Sequence, residues 1–273
     1  MARLVADARR VPVARILSAL VLAPVVVGVA VAGGWWFAGL VILAAWTMAF
    51  EWEALTGQAA ISMGLAIDAG ALAAAVVAAL LGEPGIALGA IGLAMLARLS
   101  LALWRRRDPR WNLAGIAYVG VPAVSLVSLR GDVDFGLAAV LWVFAVVWGT
   151  DIGAFAVGKA VGGPRLSAIS PNKTWAGLAG GVILAGLVGA LLADRLELGS
   201  AGLFAGFGVA CAFLGQGGDL LESWVKRRFG AKDSGALIPG HGGILDRVDG
   251  LLPVAVAAAL AAGLYRQGGP AWP

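Results

Sequence analysis

Residues 175–193 read Trp-Ala-Gly-Leu-Ala-Gly-Gly-Val-Ile-Leu-Ala-Gly-Leu-Val-Gly-Ala-Leu-Leu-Ala, an apolar run with no charged side chain. Because a helix needs about 20 apolar residues to cross a bilayer core of about 30 Å, this run predicts one transmembrane helix. Eight similar runs lie near 16–33, 35–51, 60–81, 86–103, 113–130, 135–150, 201–218 and 251–265. The sequence therefore predicts an all-α, polytopic integral membrane protein with about nine transmembrane helices.

The composition of the chain agrees with a surface that faces lipid. Of its 273 residues, 60% are hydrophobic and only 13% are charged, whereas about a quarter of the residues of a soluble domain are charged. Its 41 glycines suit helices that pack in lipid, where association depends on close approach of the backbones. A soluble fold is therefore disfavoured.

The positions of the basic residues predict which way the helices cross. If the N-terminus is cytoplasmic and nine helices alternate, every Lys and Arg except Arg130, Arg195 and Arg266 falls on a cytoplasmic flank, as the positive-inside rule expects. The basic N-terminus resembles a signal peptide, but the many apolar runs that follow favour a retained first membrane helix. We therefore expect a multi-pass protein of the cell (inner or plasma) membrane with a cytoplasmic N-terminus.

Several kinds of function are excluded by what the sequence lacks. Cys211 is the single cysteine, so neither an intrachain disulfide nor a thiolate metal cluster can form. His241 is the single histidine, which rules out a histidine-rich zinc site, and no G-x-S-x-G elbow supports a serine hydrolase. The net charge of +4 is dispersed among the membrane loops, which indicates attraction to lipid headgroups and no nucleic-acid binding.

The longest polar stretch runs from Ser223 to Asp249, with Asp219 just before it. Its eight charged residues would cost about 20 kcal/mol in hydrocarbon, so the stretch must lie in water or line a polar cavity. Asp246 and Asp249 are three residues apart and share a face if they are helical. Carboxylates gathered without cysteine or histidine favour a hard cation such as Mg²⁺, and Asp219 is the third candidate ligand.

The same stretch carries groups that can bind phosphate. Lysine and arginine hold anionic oxygens, arginine in a bidentate fork, and glycine lets backbone N–H groups approach a phosphate closely. The candidates are Lys226, Arg227, Lys232, Arg247, Gly240, Gly242 and Gly243. His241 is either a structural turn residue or a group that transfers a proton or contacts phosphate. The alternative interpretation is a solvated loop whose charges pair with one another.

A second polar stretch runs from Asp151 to Lys159 and then from Ser170 to Trp175, and it is predicted to face the same compartment. Lys173 and Thr174 precede the helix predicted for 175–193, and free N–H groups at a helix start favour phosphate binding. A Ser/Thr cap beside a topology-setting lysine is the alternative. Asp151 is either a fourth carboxylate of the site or a simple interfacial residue.

The motifs of these stretches are Ser223-x-x-Lys226-Arg227, Lys232-Asp233-x-Gly235 and Pro239-Gly-His-Gly-Gly-Ile-x-Asp246-Arg247-Val-Asp249. Together they resemble the signature of the phosphatidate cytidylyltransferase family. Further similarity comes from Gly218-Asp219, Asp151 with Gly158, Ser170-Pro-x-Lys173-Thr174-Trp175 and Glu51-Trp52. The motifs cover the C-terminal half and the hydropathy pattern covers the whole chain. Ala176 stands where the family usually has Glu, and Phe155 where Tyr is common, so no role is assigned to an acid or hydroxyl there.

The resemblance implies an all-helical membrane enzyme that converts CTP and phosphatidate, a membrane lipid, into CDP-diacylglycerol and pyrophosphate with Mg²⁺. It leaves open a second, monovalent cation and a homodimer. The implied catalytic residues are Asp219, Lys226, Asp246, Arg247 and Asp249, and the implied metal ligands are Asp219, Asp246 and Asp249. The implied substrate-binding residues are Ser170, Lys173, Thr174, Ser223, Arg227, Lys232, Asp233, His241, Gly242 and Gly243.

The expected organisation is one integral membrane domain that spans 1–273. Residues 1–130 would supply the N-terminal helices, and 131–273 the catalytic helices and cytoplasmic loops, so that the active site faces the cytoplasm. A polyprenol kinase or an archaeol-type cytidylyltransferase is the rival enzyme, although the long signature favours phosphatidate. A transporter would need ionisable residues inside the spans, whereas here they concentrate in two polar stretches, and a structural scaffold would respond to neither Mg²⁺ nor CTP.

Overall fold

The computed structural model describes residues 21–57, 62–235 and 242–266. Over these ranges the chain forms ten α-helices and no β-sheet. The helices are α1 (Val21–Ala32), α2 (Gly34–Leu55), α3 (Met63–Leu80), α4 (Pro84–Trp104), α5 (Arg110–Arg130), α6 (Gly136–Val161), α7 (Trp175–Arg195), α8 (Ala201–Arg228), α9 (Leu245–Val248) and α10 (Leu251–Arg266). Pro239, Gly240 and His241 lie outside the described ranges.

Each of the nine predicted crossings coincides with one helix, and α9 is an additional four-residue turn. The seven helices α2 to α8 are long and apolar enough to cross a membrane, whereas α1 and α10 are shorter apolar helices within the described ranges. The prediction of an all-helical, polytopic membrane protein is confirmed. The N-terminus lies outside the described part of the chain, so its cytoplasmic location stays a prediction.

Two helices continue beyond their apolar runs. The 26-residue α6 passes the predicted end at 150, and the 28-residue α8 passes the predicted end at 218. Polar segments that the sequence placed in loops are therefore partly the ends of long helices. The backbone can remain helical where the side chains become polar, because a helix satisfies its own hydrogen bonds in lipid and in water alike.

Small residues bring α6, α7 and α8 into close contact. A methyl group on Gly153 of α6 would lie 2.5 Å from the carbonyl oxygen of Gly180 in α7. One on Gly208 of α8 would lie 2.6 Å from the carbonyl oxygen of Ala185 in α7. Such contacts let dispersion forces act between backbones, which is how helices associate in lipid. They also fix the relative positions of the polar helix ends.

A buried ionic group links α2, α3 and α4. Arg98 pairs with Glu53 and lies 3.4 Å from Asp68, and Ser62 donates to Glu53 at 3.0 Å. The three charged residues are 2–4% exposed. The sequence led us to expect ionisable residues mainly in the two polar stretches, and this group was missed. Buried charges persist when they are paired, and here they pair with one another.

Two of the three arginines outside the positive-inside pattern have partners distant in sequence, whereas Arg195 lies 4.0 Å from the carboxylate of its neighbour Asp194. Arg130 donates to the carbonyl oxygens of Ala30 at 2.6 Å and Val31 at 3.2 Å, at the end of α1. Arg266 donates to Asp132 at 2.6 Å. A guanidinium group at a helix C-terminus satisfies free carbonyl groups and interacts favourably with the helix dipole. Capping and pairing therefore account for these two positions.

Candidate active site

The predicted site residues that the structure describes lie at one end of the helices, where α6 and α8 end and α7 and α10 begin. A methyl group on Gly218 of α8 would collide with the carbonyl oxygen of Asp249, and one on Gly215 would lie 3.4 Å from that of Gly250. Glycine is required at position 218 because the two backbones approach so closely. The contact brings Asp219, the next residue, beside the turn that carries Asp249.

Lys173 joins the two polar stretches. Its Nζ lies 2.5 Å from the Asp219 carboxylate and donates to the side-chain oxygen of Gln216 at 2.9 Å. The Ser223 hydroxyl donates to the other carboxylate oxygen of Asp219 at 3.3 Å. The start of α7 and the end of α8 thus supply opposite charges to one place, as expected if both stretches face one compartment.

Asp246 lies at the centre of a second network. Lys226 Nζ is 2.6 Å from its Oδ1, and the backbone N–H groups of Ser234 and Gly243 donate to its Oδ2 at 3.0 and 2.9 Å. Burial acts to raise the pKa of Asp246, but hydrogen bonds with Glu222, Lys226 and the two N–H groups lower it to about 2. Asp246 is therefore a carboxylate at neutral pH.

Asp249 has the opposite electrostatic environment. Burial, followed by the nearby Asp219 carboxylate and then by Asp151, raises the pKa of Asp249, although the Gly250 N–H donates to it at 2.8 Å. Like charges held together disfavour ionisation unless a cation is bound between them. Asp219 and Asp249 are therefore a pair that a cation would stabilise, with Asp151 close enough to contribute.

These carboxylates fit a hard cation by their chemistry, since the donors are oxygen atoms. Among the described residues, however, no three His, Cys, Asp or Glu side chains are grouped so as to hold a metal ion. The oxygens of Asp246 are occupied by Lys226 and the backbone. The oxygens of Asp219 are likewise engaged, by Lys173 and Ser223, so the roles of Asp219, Asp246 and Asp249 as metal ligands all stay predictions.

The remaining predicted residues that the structure describes lie in the chain segments next to these two networks. The Thr174 hydroxyl accepts from Gly177 N–H at 3.0 Å and caps α7, while the Ser170 carbonyl accepts from Lys173 N–H at 3.1 Å. Arg227 donates to the Ala231 carbonyl oxygen at 3.2 Å. The side chains of Lys232, Asp233 and Arg247 are exposed. His241 lies outside the described residues, and Gly243 N–H is directed to Asp246.

Two acidic residues of this region had no predicted role. Glu222 is 1% exposed and lies 2.5 Å from Lys226, so Lys226 is shared between Glu222 and Asp246. The spacing of four residues between Glu222 and Lys226 is a sequence signal for such a helical pair. Glu51 accepts hydrogen bonds from the backbone of Ile244 and Leu245, and the sequence identified it only as part of the family resemblance.

The fold and the site define an all-helical, multi-span membrane protein with carboxylates and lysines gathered at one end. The chain belongs to the cytidylyltransferase family, whose sequence model matches residues 13–265.

Individual relatives carry a more specific name. The chain is 47% identical over 158 residues to the phosphatidate cytidylyltransferase of Brucella suis biovar 1, and this covers 58% of each chain. Identity to the enzyme of the same name from Helicobacter pylori strain J99 is 42% over 132 residues, which is 48% of this chain and 50% of the relative. For Staphylococcus saprophyticus it is 42% over 147 residues, 53% of this chain and 55% of the relative. The chain therefore spans about half the length of the curated relatives it matches.

Proposed function

We propose that this protein is a phosphatidate cytidylyltransferase, which converts CTP and phosphatidate into CDP-diacylglycerol and pyrophosphate. Family membership and the shared name of relatives in three bacterial genera support the proposal. The observation that carries it is the contact of 2.5 Å between Lys173 and Asp219. This contact joins the two signature stretches into one site that offers cations to phosphates and carboxylates to a metal ion.

In the proposed reaction a phosphate oxygen of phosphatidate attacks the α-phosphorus of CTP. A new P–O bond forms at the α-phosphorus. The bond between the α-phosphorus and the oxygen that bridges it to the β-phosphorus breaks, and the electron pair of that bond leaves with pyrophosphate. The nucleophile is already an anion near neutral pH, so a strong general base is not required. Repulsion between the two polyanions is the main barrier, and positive charge placed around them should supply most of the rate.

The positive side chains of the site are suited to this task. Lys173 and Lys226 are partly buried, with 17% and 13% of their side chains exposed, so their charges are less screened than those of surface residues. Arg227, Lys232 and Arg247 are exposed at the rim and can contact phosphate oxygens. A Mg²⁺ ion on Asp219 and Asp249, with Asp246 as a third ligand, would neutralise phosphate charge further.

The membrane orientation is part of the proposal. Arg105, Arg106 and Arg107 lie between α4 and Trp111, which packs against Trp224 and Phe229 at the site end of α8. The positive-inside rule favours the cytoplasm for such an end, where CTP would reach it. We also propose a homodimer and a monovalent cation beside Mg²⁺, because the family resemblance implies both.

The substrate assignment can be tested with purified protein in detergent. CTP is supplied with phosphatidate, with an archaeol-type lipid phosphate or with a free polyprenol, each with and without Mg²⁺. We expect Mg²⁺-dependent pyrophosphate release with phosphatidate and the appearance of CDP-diacylglycerol. Release of CDP with polyprenol would indicate a kinase, and a preference for the archaeol-type phosphate would replace phosphatidate as the substrate.

A further inference from the structure

Glu51 lies near the C-terminal end of α2, yet its side chain is hydrogen-bonded to the segment 242–249 that carries Asp246 and Asp249. It is only 3% exposed. Ile244 N–H donates to Oε1 at 2.9 Å and Leu245 N–H to Oε2 at 2.8 Å. The Ser234 hydroxyl also donates to Oε2, at 3.3 Å. One carboxylate from α2 therefore holds both the segment that contains Ser234 and the segment that starts α9.

Gly235 and Gly243, one from each of these two segments, leave room for this carboxylate. A methyl group on Gly235 would lie 3.0 Å from Glu51 Oε1, and one on Gly243 would lie 2.6 Å from Glu51 Oε2. Any side chain at Gly243 would have to displace the Ser234 hydroxyl and the Glu51 carboxylate, or else shift the backbone, because contacts this short are strongly repulsive. The backbone around Glu51 is therefore shaped to enclose it on two sides.

The free-energy cost of burying the Glu51 carboxylate links this residue to the position of α9. A buried carboxylate loses its hydration, and near the C-terminus of its own helix it also faces the unfavourable end of the helix dipole. Its compensation comes from N–H groups of Ile244 and Leu245, which have no helical partner at the start of α9. These bonds form only if α9 is held in one position against α2.

Glu51 and Asp246 act on the same two segments. Asp246 accepts from the backbone of Ser234 and Gly243, while Glu51 accepts from the Ser234 hydroxyl and from the next two residues after Gly243. We propose that Glu51 is a positioning residue, which fixes α9 and thereby sets Asp246 and Asp249 for the reaction. The kinetic part of this inference rests on the proposed function, whereas the structural part does not.

The test compares Glu51→Gln with the matched control Glu53→Gln. Glu53 is on the same helix and is equally buried at 2%, but it pairs with Arg98 and not with the turn. Hydrogen–deuterium exchange of the detergent-purified protein is measured for peptides that cover 232–235 and 242–249. In Glu51→Gln we expect these peptides to exchange at least about tenfold faster, since a hydrogen bond to a charged group is lost. In Glu53→Gln their exchange should remain as in the wild type.

Steady-state kinetics supply the second measurement. Glu51→Gln should lower kcat by about tenfold or more, while KM for CTP changes by less than about threefold, because the carboxylates are displaced but Arg227 on α8 and Lys173 before α7 remain in place. Gly235→Ala provides an independent variant, since its methyl group would lie 3.0 Å from Oε1 and push the carboxylate by a few tenths of an ångström while Glu51 itself is retained. It should reproduce the local increase in exchange even if Glu51→Gln is obtained in low yield.

The outcomes separate the two proposals. Unchanged exchange at 242–249 in both Glu51→Gln and Gly235→Ala would overturn the positioning role. Equal acceleration along the whole chain in Glu51→Gln and Glu53→Gln would also overturn it, because that pattern indicates general loss of stability. If exchange becomes faster only at 232–235 and 242–249 in Glu51→Gln, but the wild type makes no CDP-diacylglycerol, the structural role of Glu51 is supported and the proposed function is rejected.

Discussion

Single residues of the site form pairs in which a lysine is shared with carboxylates. Lys173 lies 2.5 Å from Asp219, and Lys226 lies 2.6 Å from Asp246 and 2.5 Å from Glu222. Each ammonium group offsets carboxylate charge that would otherwise repel its neighbours. In the proposed function, phosphates would compete for the same lysines and a metal ion for the same carboxylates, so both ligands would meet groups that are already in place.

Replacing Lys173 by Gln should lower the rate of pyrophosphate release by roughly 100-fold, which is the usual effect of removing one charged group that stabilises a transition state. Lys159→Gln is the matched control, because Lys159 is exposed near the end of α6 and contacts only the Phe155 ring, at 5.6 Å, among the interactions that the structure records for it. Initial rates at saturating CTP and phosphatidate would measure the difference. Equal rates for the two variants would contradict the role of Lys173.

The sequence indicates some of these residues and not others for a physical reason. Asp219, Lys226 and Asp246 stand in polar segments that cannot enter hydrocarbon, so their placement outside the lipid core follows from composition. Glu51 acts through Leu245, which is 194 positions away, and no local pattern encodes that contact. The division of Asp246 and Asp249 between two networks likewise depends on tertiary packing and was not predicted.

Hydropathy predicts which segments of the chain are helices better than it predicts how long each helix is. The nine apolar runs all became helices because an apolar segment of that length has no other stable backbone conformation in lipid. The polar ends of α6 and α8 were not predicted as helical, since hydropathy reports the surroundings of the side chains and not the continuity of the backbone. These extensions carry Asp151 and Asp219 on rigid helices.

The α6–α7 contact should be sensitive to a single methyl group. Gly153→Ala would place a methyl group 2.5 Å from the Gly180 carbonyl oxygen, and overpacking of this kind destabilises by about 1–3 kcal/mol. Gly206→Ala on α8 is the control, since nothing lies within 4 Å of its added methyl group. Thermal unfolding in detergent should show a lower midpoint for Gly153→Ala alone. A midpoint equal to that of Gly206→Ala would mean that the helices can separate freely here.

Within the described part of the chain, the two ends of the helices differ in their side-chain contacts. At the site end, Trp111 at the start of α5 packs against Trp224 and Phe229, with ring centroids 5.9 and 4.9 Å apart. At the opposite end, Arg266 pairs with Asp132 in the loop that follows α5. The 21-residue α5 therefore runs from the site end to the other end, and the loops on its two sides can report which end faces the cytoplasm.

Cysteine labelling can determine this orientation, because the single native cysteine, Cys211, is only 1% exposed and is removed by Cys211→Ala. In that background, Asp108→Cys places a thiol at the site end, and Val133→Cys places one at the opposite end, where Val133 is 88% exposed. With the site in the cytoplasm, a membrane-impermeant maleimide should label Val133→Cys in intact spheroplasts and Asp108→Cys only after lysis. The reverse pattern would put the site on the outer face, away from cytoplasmic CTP. The positive-inside argument would then fail, together with the proposed route by which the nucleotide reaches Lys173 and Asp219.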